Sequence, residues 1–215
     1  LKETVYQVRY APDLDVFVLD TTAPDVATQA RWLDARLAAS KARWRVASFH
    51  HPIFSSGRDR DNAERRAALL PVLRKHRVDL VLQGHDHTYA RGTFPQTPER
   101  VAARRGEWVE SMYVNSVSGP KMYEFSAGGW DRYADTGVRL DRRAENAQFF
   151  QVIRIDGGRL SYEAYTADGQ LYDGFALEKE PNGRKRLVRG RASTMEALLF
   201  DNTPPYPDVK GLDAE

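Results

Sequence analysis

The chain has 215 residues, 41% of them hydrophobic, and its 32 basic side chains nearly cancel its 30 acidic ones to a net charge of +2. That length and apolar content suffice for a domain with a buried core, and the near balance of charge gives no general attraction to nucleic acid or to a membrane. The absence of cysteine excludes disulfides, thiolate metal ligands and cysteine nucleophiles, and no apolar stretch approaches the roughly 18 residues of a membrane-spanning helix.

Two strands open the chain, residues 4–10 and 15–19, joined by a turn at Ala11-Pro12-Asp13. Residues 28–40 carry a helical period with Ala30, Trp32, Leu33 and Leu37 on one face. A strand over 44–49 follows and ends on His50-His51, where Pro52 stops regular pairing. The polar loop 55–61 leads into a helix over 62–76 with Ala63, Ala67, Leu70 and Leu73 as its apolar positions, and Pro71 is expected to kink or split it. The apolar strand 78–83 then runs into Gly84-His85-Asp86-His87-Thr88-Tyr89-Ala90. A period-2 backbone through that heptapeptide would send His85 and His87 to the same side, and Gly84 would let the backbone crowd a ligand. The order strand, helix, strand, helix, strand indicates an α/β layer with short crossovers, in which ligands collect outside the carboxyl ends of the strands.

Beyond residue 92 the pattern becomes antiparallel. Strands are expected over 107–117, 148–155 and 160–166, the last two joined at Asp156-Gly157-Gly158, and a hairpin joins 175–180 to 184–188 through Pro181-Asn182-Gly183. Residues 195–200 are a short apolar run before the extended tail Thr203-Pro204-Pro205-Tyr206-Pro207. The basic run 184–191 lacks interleaved aromatics and reads as a solvated strand, so no nucleic-acid partner is expected.

Four of the five histidines thus lie at two strand ends. Neutral imidazole is a common ligand for zinc, iron and manganese, and neighbouring parallel strands would bring His50, His85 and His87 together. His76 is different, since it ends a helix among Arg74, Lys75 and Arg77, where cations complement the helix dipole.

The segment FHHPIFSSG, followed after one helix and one strand by GHDHTYAR, resembles the C-terminal half of the calcineurin-like metallophosphoesterases, most closely the purple acid phosphatase-like branch. That family's pattern is a histidine before x-Pro and then Gly-His-x-His-x-Tyr-Glu-Arg. VYQVRYAPDLDVFVLDT, TQARWLDARL and ADGQLYDGFALEK resemble the flanking strands, helix and closing hairpin, so the likeness covers about residues 4–179. It implies an α/β fold: the C-terminal half of a β-sandwich flanked by helices, with antiparallel strands toward the C-terminus. Residues 1–179 would be that half domain and 180–215 a terminal hairpin and tail.

By the same resemblance His50 and His85 would bind one metal and His87 the other, the two ions being iron, zinc or manganese. Tyr89 and Arg91 match the residues that support the site, Ala90 departs from the usual glutamate, and Asp86 occupies the variable position with no family role. His51 and the loop 55–60 fall at the substrate mouth, where Arg58 is the candidate phosphate contact. Asn115 and Lys121 lie where the family chain returns near the site.

The first-half motifs of the family, Asp-x-His or Asp-x-Gly, Gly-Asp-x-x-Asp or Gly-Asp-x-x-Tyr, and Gly-Asn-His, do not occur. Two first-row cations about 3.5–4 Å apart need a bridging carboxylate and further ligands, which three imidazoles cannot supply. The expected partners are therefore a phosphoester substrate and an N-terminal half carried elsewhere, and apolar strand faces and edges are expected to lie uncovered. The function implied is acid phosphatase-like hydrolysis of a phosphomonoester by a metal-bridging hydroxide. The alternatives are a phosphodiesterase of the same superfamily and a metal-stabilised binding module without catalysis. A helical HD-type phosphohydrolase is opposed by the β-branched run before Gly84. The branch implies a secreted or periplasmic location.

Overall fold

The computed structural model of the chain describes residues 3–10, 12–96 and 107–189. The expected turn residue Ala11 and the tail features at 195–200 and 203–207 lie outside them. Strands β1 (Tyr6–Tyr10) and β2 (Leu14–Val18) form an antiparallel hairpin, and β2 then pairs in parallel with β3 (Trp44–Ser48), which pairs in parallel with β4 (Leu80–Gln83). The crossovers are α1 (Val26–Ala39) and α2 (Ala63–Lys75), packed side by side. Strand β6 (Glu107–Asn115) extends the parallel block beside β4.

Helix α1 begins where the Asp25 carboxylate accepts from the Thr28 N–H, a side-chain cap, and buries Val26, Gln29, Ala30, Leu33 and Leu37. Trp32, expected on that face, is only partly buried. Helix α2 departs further from expectation. It runs through Pro71 as one element, with Pro71 on its exposed side, and it buries Leu69 and Leu73 while Ala63 and Ala67 face solvent. Bulky leucines remove more apolar area from water than alanines, so the leucine stripe decides which way the helix turns.

Both faces of the parallel block are covered, which is why its strands read as almost unbroken apolar runs. Ala47, Val81 and Tyr113 point to the helices and join Phe17, Leu33, Leu37, Leu69 and Leu73. The alternating residues Val46, Leu80, Met112 and Val114 point the other way, to a second core with Trp44, Leu160, Tyr162, Phe175 and Leu177. That second core is closed by the antiparallel meander β8 (Phe149–Asp156), β9 (Arg159–Thr166), β10 (Leu171–Lys179) and β11 (Lys185–Arg189). The hairpin 180–189, set apart from 1–179 in the sequence reading, inserts β11 between β10 and the first residues of β6.

Two strands were not legible in the sequence. Strand β5 (Tyr89–Pro95) starts directly after the second histidine group and pairs with β6 and with β7 (Arg139–Ala144). Gly92 interrupts its apolar pattern because a Cβ there would lie 2.2 Å from both the Arg139 carbonyl and the Trp130 ring. Strand β7, RLDRRA, is a charged strand bonded among the described residues only to β5, a composition that discourages further pairing.

The expectation of uncovered apolar faces is corrected by the meander, which buries the second face from within the chain. Among the described residues the exposed large hydrophobics are Tyr6 and Tyr10 on β1 and Phe150 on β8, the two strands at the ends of the sheet path. No helix among the described residues is long and apolar enough to cross a membrane.

Candidate metal centre

The carboxyl ends of β2, β3 and β4 meet at one edge of the sheet. The backbone ladder between β3 and β4 continues past the strands themselves: the Phe49 N–H donates to the Leu82 carbonyl at 3.1 Å and the Gly84 N–H to the His50 carbonyl at 2.9 Å. These bonds set His50 opposite Gly84 and thereby carry His85 beside it. A Cβ on Gly84 would meet His50 at 3.7 Å, an ordinary contact, so the glycine is not required by crowding at this point.

The period-2 expectation for the heptapeptide does not hold. Residues 85–88 form a run of bends with His85 at φ 65°, in the left-handed region, and the Asp86 N–H folds back onto the Gly84 carbonyl at 2.8 Å. The turn is fixed by a residue the sequence reading left without a role. Asp86 is fully buried, and its Oδ2 accepts from the backbone N–H groups of Ser56 at 2.7 Å and Gly57 at 3.0 Å. From the other side the Asn115 amide donates to the carbonyls of Asp86 and Thr88, both at 2.8 Å. A sheet ladder would leave Asp86 without those partners, so the bends win.

His50, His51 and His85 converge, with one ring nitrogen of each lying within 4.8 Å of the others. His50 Nε2 is 3.1 Å from His85 Nδ1, and Arg60 Nη1 is 2.6 Å from His85 Nε2. A guanidinium can only donate, so His85 Nε2 must carry a lone pair. The His85 proton is then on Nδ1 and is donated to His50 Nε2. His87 stands apart from this trio: its Nδ1 lies 2.8 Å from the Lys121 carbonyl, which can only accept, and its ring stacks on Tyr123 at 4.5 Å. That contact puts the His87 proton on Nδ1 and leaves Nε2 as the free base, the arrangement second-layer carbonyls impose on metal-binding histidines.

The imidazoles are held neutral. Burial pushes His51 down to about 4, helped by the charges of His85 and Arg65. Burial likewise takes His85 to about 4, helped first by Arg60. His50 is lowered by burial and by Arg65, and His87 by burial, partly offset by its bond to Lys121. Neutral imidazole is the form that binds a metal.

The remaining expectations sort as follows. His51, placed at the substrate mouth by resemblance, lies within the histidine trio, its N–H donating to the buried Thr21 hydroxyl at 2.8 Å. Arg58 faces outward in an ion pair with Glu124, whereas Arg60 of the same loop reaches the histidines and lies over the Tyr123 ring at 4.3 Å. Tyr89 and Arg91 point away from the histidines into the second core, where both donate to Asp173, at 2.8 and 2.6 Å. They fix the start of β5 to β10 rather than touching the site. Lys121 enters through its backbone carbonyl, Asn115 through its amide, and His76 pairs with Asp34 between the helices at 2.6 Å. Thr21, Arg60, Asp86 and Tyr123 were given no role of their own in the sequence reading, although Thr21 and Asp86 lie inside quoted segments and Arg60 closes the loop 55–60.

The donor set fits a first-row transition ion at the neutral imidazoles. It contains three imidazoles and no carboxylate, so the bridging ligand of a two-metal centre is not in this grouping among the described residues.

The calcineurin-like phosphoesterase family model matches residues 6–89. Purple acid phosphatase 17 of Arabidopsis thaliana is 44% identical over 101 residues, covering 46% of this chain and 30% of that protein. Purple acid phosphatase 7 of the same plant is 38% identical over 147 residues, covering 68% of this chain and 39% of that protein. The chain therefore spans only about a third of the length of these relatives. Among solved structures, purple acid phosphatase PPD1 from yellow lupin seeds superposes with a TM-score of 0.60 at 20% identity, over 83% of this chain and 33% of that one. A structure of PhoD gives 0.53 at 11% identity, over 91% and 45%. At those identities the likeness is one of fold.

Proposed function

We propose that this chain, which belongs to the calcineurin-like phosphoesterase superfamily on its purple acid phosphatase-like branch, supplies the histidine ligands of a metal-dependent phosphomonoester hydrolase. The observation that carries the reading is the convergence of neutral, tautomerically fixed imidazoles from two parallel strand ends. His50 and His85 would hold one ion and His87 a second, with iron, zinc and manganese all compatible with imidazole. Bound metal there would supply activation of a water nucleophile near neutral pH and neutralisation of charge on the phosphoryl group.

The chain's own residues do the positioning. The bonds across the β3–β4 ends hold the His50 and His85 backbones in register, the Lys121 carbonyl orients His87, and Thr21 fixes His51. The loop 55–60 borders the histidines and forms the substrate mouth, tied down by Asp86. The bridging carboxylate and the acid that protonates the leaving group would come from a part of the protein outside this chain.

The test is metal content by elemental mass spectrometry, alongside hydrolysis of p-nitrophenyl phosphate, for the complete protein and for its His85→Ala variant. About two transition-metal ions and turnover in the parent, with loss of both in the variant, are the expected results. A parent protein free of metal and inactive would overturn the reading. The lack of a carboxylate among the grouped donors favours one second reading, a metal-stabilised binding module, and that module would retain metal yet show no turnover.

A further inference from the structure

We infer that Arg60 is the guanidinium this fold presents to the phosphoryl group, and that Asp86 is the positioning residue that holds it there. The inference rests on the hydrolase reading above and names a substrate contact within it.

The loop 55–60 carries two arginines, and the structure gives them different work. The Arg58 side chain is paired with Glu124 at the surface, and its N–H donates to the Glu124 carbonyl at 2.9 Å, so both its charge and its backbone are committed away from the histidines. Arg60 turns inward. Its Nη1 is 2.6 Å from His85 Nε2, and its guanidinium lies 4.3 Å from the centre of the Tyr123 ring, whose stacking partner is His87. One guanidinium thus touches His85 and the aromatic ring that covers His87, the two histidines assigned to different ions. A planar fork of donors at that place is suited to an anion lying across both.

The hold on Arg60 comes from below. Asp86, between the two histidines in sequence, clamps the N–H groups of Ser56 and Gly57, while its Oδ1 is buried without a hydrogen-bond partner among the described residues. Gly57 has no side chain where one would sit 3.0 Å from the Arg60 Cδ and 3.5 Å from the Asp86 Cγ, so the loop can fold tightly over the carboxylate. The Gly57 carbonyl then accepts from the Arg60 N–H at 3.4 Å. Asp86 therefore ties the histidine loop and the arginine loop into one unit.

A distinctive consequence follows at His85. The nitrogens that His50 and His85 turn to each other are Nε2 and Nδ1, 3.1 Å apart; an ion taken by both would displace the His85 proton to Nε2, which then no longer accepts from Arg60 and releases the guanidinium toward an anion. Removal of Arg60 should leave metal affinity equal or higher, yet weaken the anion.

The experiment is calorimetric titration of the metal-loaded complete protein with inorganic phosphate, for the parent, Arg60→Ala, Arg60→Lys, Arg58→Ala, Asp86→Asn and the double variant, with metal affinity and thermal melts measured on each. Arg60→Ala should weaken phosphate binding by about tenfold or more, with metal affinity undiminished, whereas Arg58→Ala should stay within about twofold. Arg60→Lys should recover part of the loss. Asp86→Asn, nearly isosteric, should weaken phosphate binding when Arg60 is present and add nothing when it is not, with KM raised more than kcat is lowered. A general structural defect would act in both backgrounds, and that outcome overturns the role given to Asp86. Phosphate binding unchanged in Arg60→Ala, or lost instead in Arg58→Ala, overturns the inference alone. A parent that takes up no metal and hydrolyses no phosphoester removes the hydrolase reading, and the inference with it.

Discussion

The two ends of strands β3 and β4 hold polar groups in opposite ways. At the carboxyl ends sit neutral imidazoles, His85 Nδ1 donating to His50 Nε2 and His85 Nε2 accepting from Arg60, with no carboxylate in the grouping. At the amino ends the fully buried Asp79 takes Lys179 at 2.7 Å and Lys185 at 2.9 Å on one oxygen and the Arg45 N–H at 2.7 Å on the other. Burial alone would raise the Asp79 carboxyl, but the ammonium groups of Lys185 and Lys179 outweigh it and hold the carboxyl below its usual range. That end is closed on itself and joins the parallel block to the β10–β11 hairpin. The other holds no carboxylate to balance a charge and keeps the His87 Nε2 lone pair as a base. Placement of a polar cluster at a strand end does not tell what it is for; whether opposite charges cancel within it does.

The contrast can be broken most directly at Asp79. Asp79→Ala strands two buried ammonium groups and should cost about 3–5 kcal/mol in urea unfolding, while His85→Ala, which removes no buried ion pair, should cost metal-free stability far less. Equal losses would erase the distinction. Next in size is metal affinity. His85→Ala should weaken it by at least about a hundredfold, and Asp79→Asn should leave it nearly unchanged, as read by competition with a chelator.

A smaller effect is expected at Tyr89, which follows the histidine loop but bonds into the second core. Tyr89→Phe should lose about 1 kcal/mol of stability with metal affinity intact, so a large drop in affinity would show that Tyr89 belongs to the site after all.

The pH dependence sharpens the comparison by direction alone. His51 and His85 sit at about 4 in the folded chain against the usual 6.5 of a histidine, so between those limits the unfolded state binds more protons. Their contribution is fully present above about 6.5 and is lost as the pH falls toward 4. Melting temperature without metal should therefore decline across that window, metal should be released in the same range, and His51→Gln should shallow the decline. An unchanged slope in that variant would mean the acid sensitivity arises elsewhere.

The parallel block was legible because its signals are local: alternating or continuous apolar runs, a helical period over 28–40, and prolines and glycines at the strand ends. The strand over 44–49, the strand over 78–83 and the hairpin at Asp156-Gly157-Gly158 were each placed to within a residue or two. Strands β5 and β7 were not, since Gly92 serves a ring from another segment and RLDRRA, among the described residues, is paired from one side only. The site divides in the same manner. Gly-His-Asp-His after an apolar strand marks the ligands, but nothing in the spacing separates Arg58 from Arg60 or gives Asp86 its clamp on Ser56 and Gly57.

Residue type and order alone therefore determined that histidines would stand at two neighbouring strand ends, because strand periodicity and chain punctuation are properties of short segments. Only the tertiary structure decided which nitrogens carry protons, which arginine turns inward and which carboxylate is buried. Those outcomes depend on partners that come from distant parts of the chain, with Lys121 against His87, Asn115 against Asp86 and Tyr123 beneath Arg60.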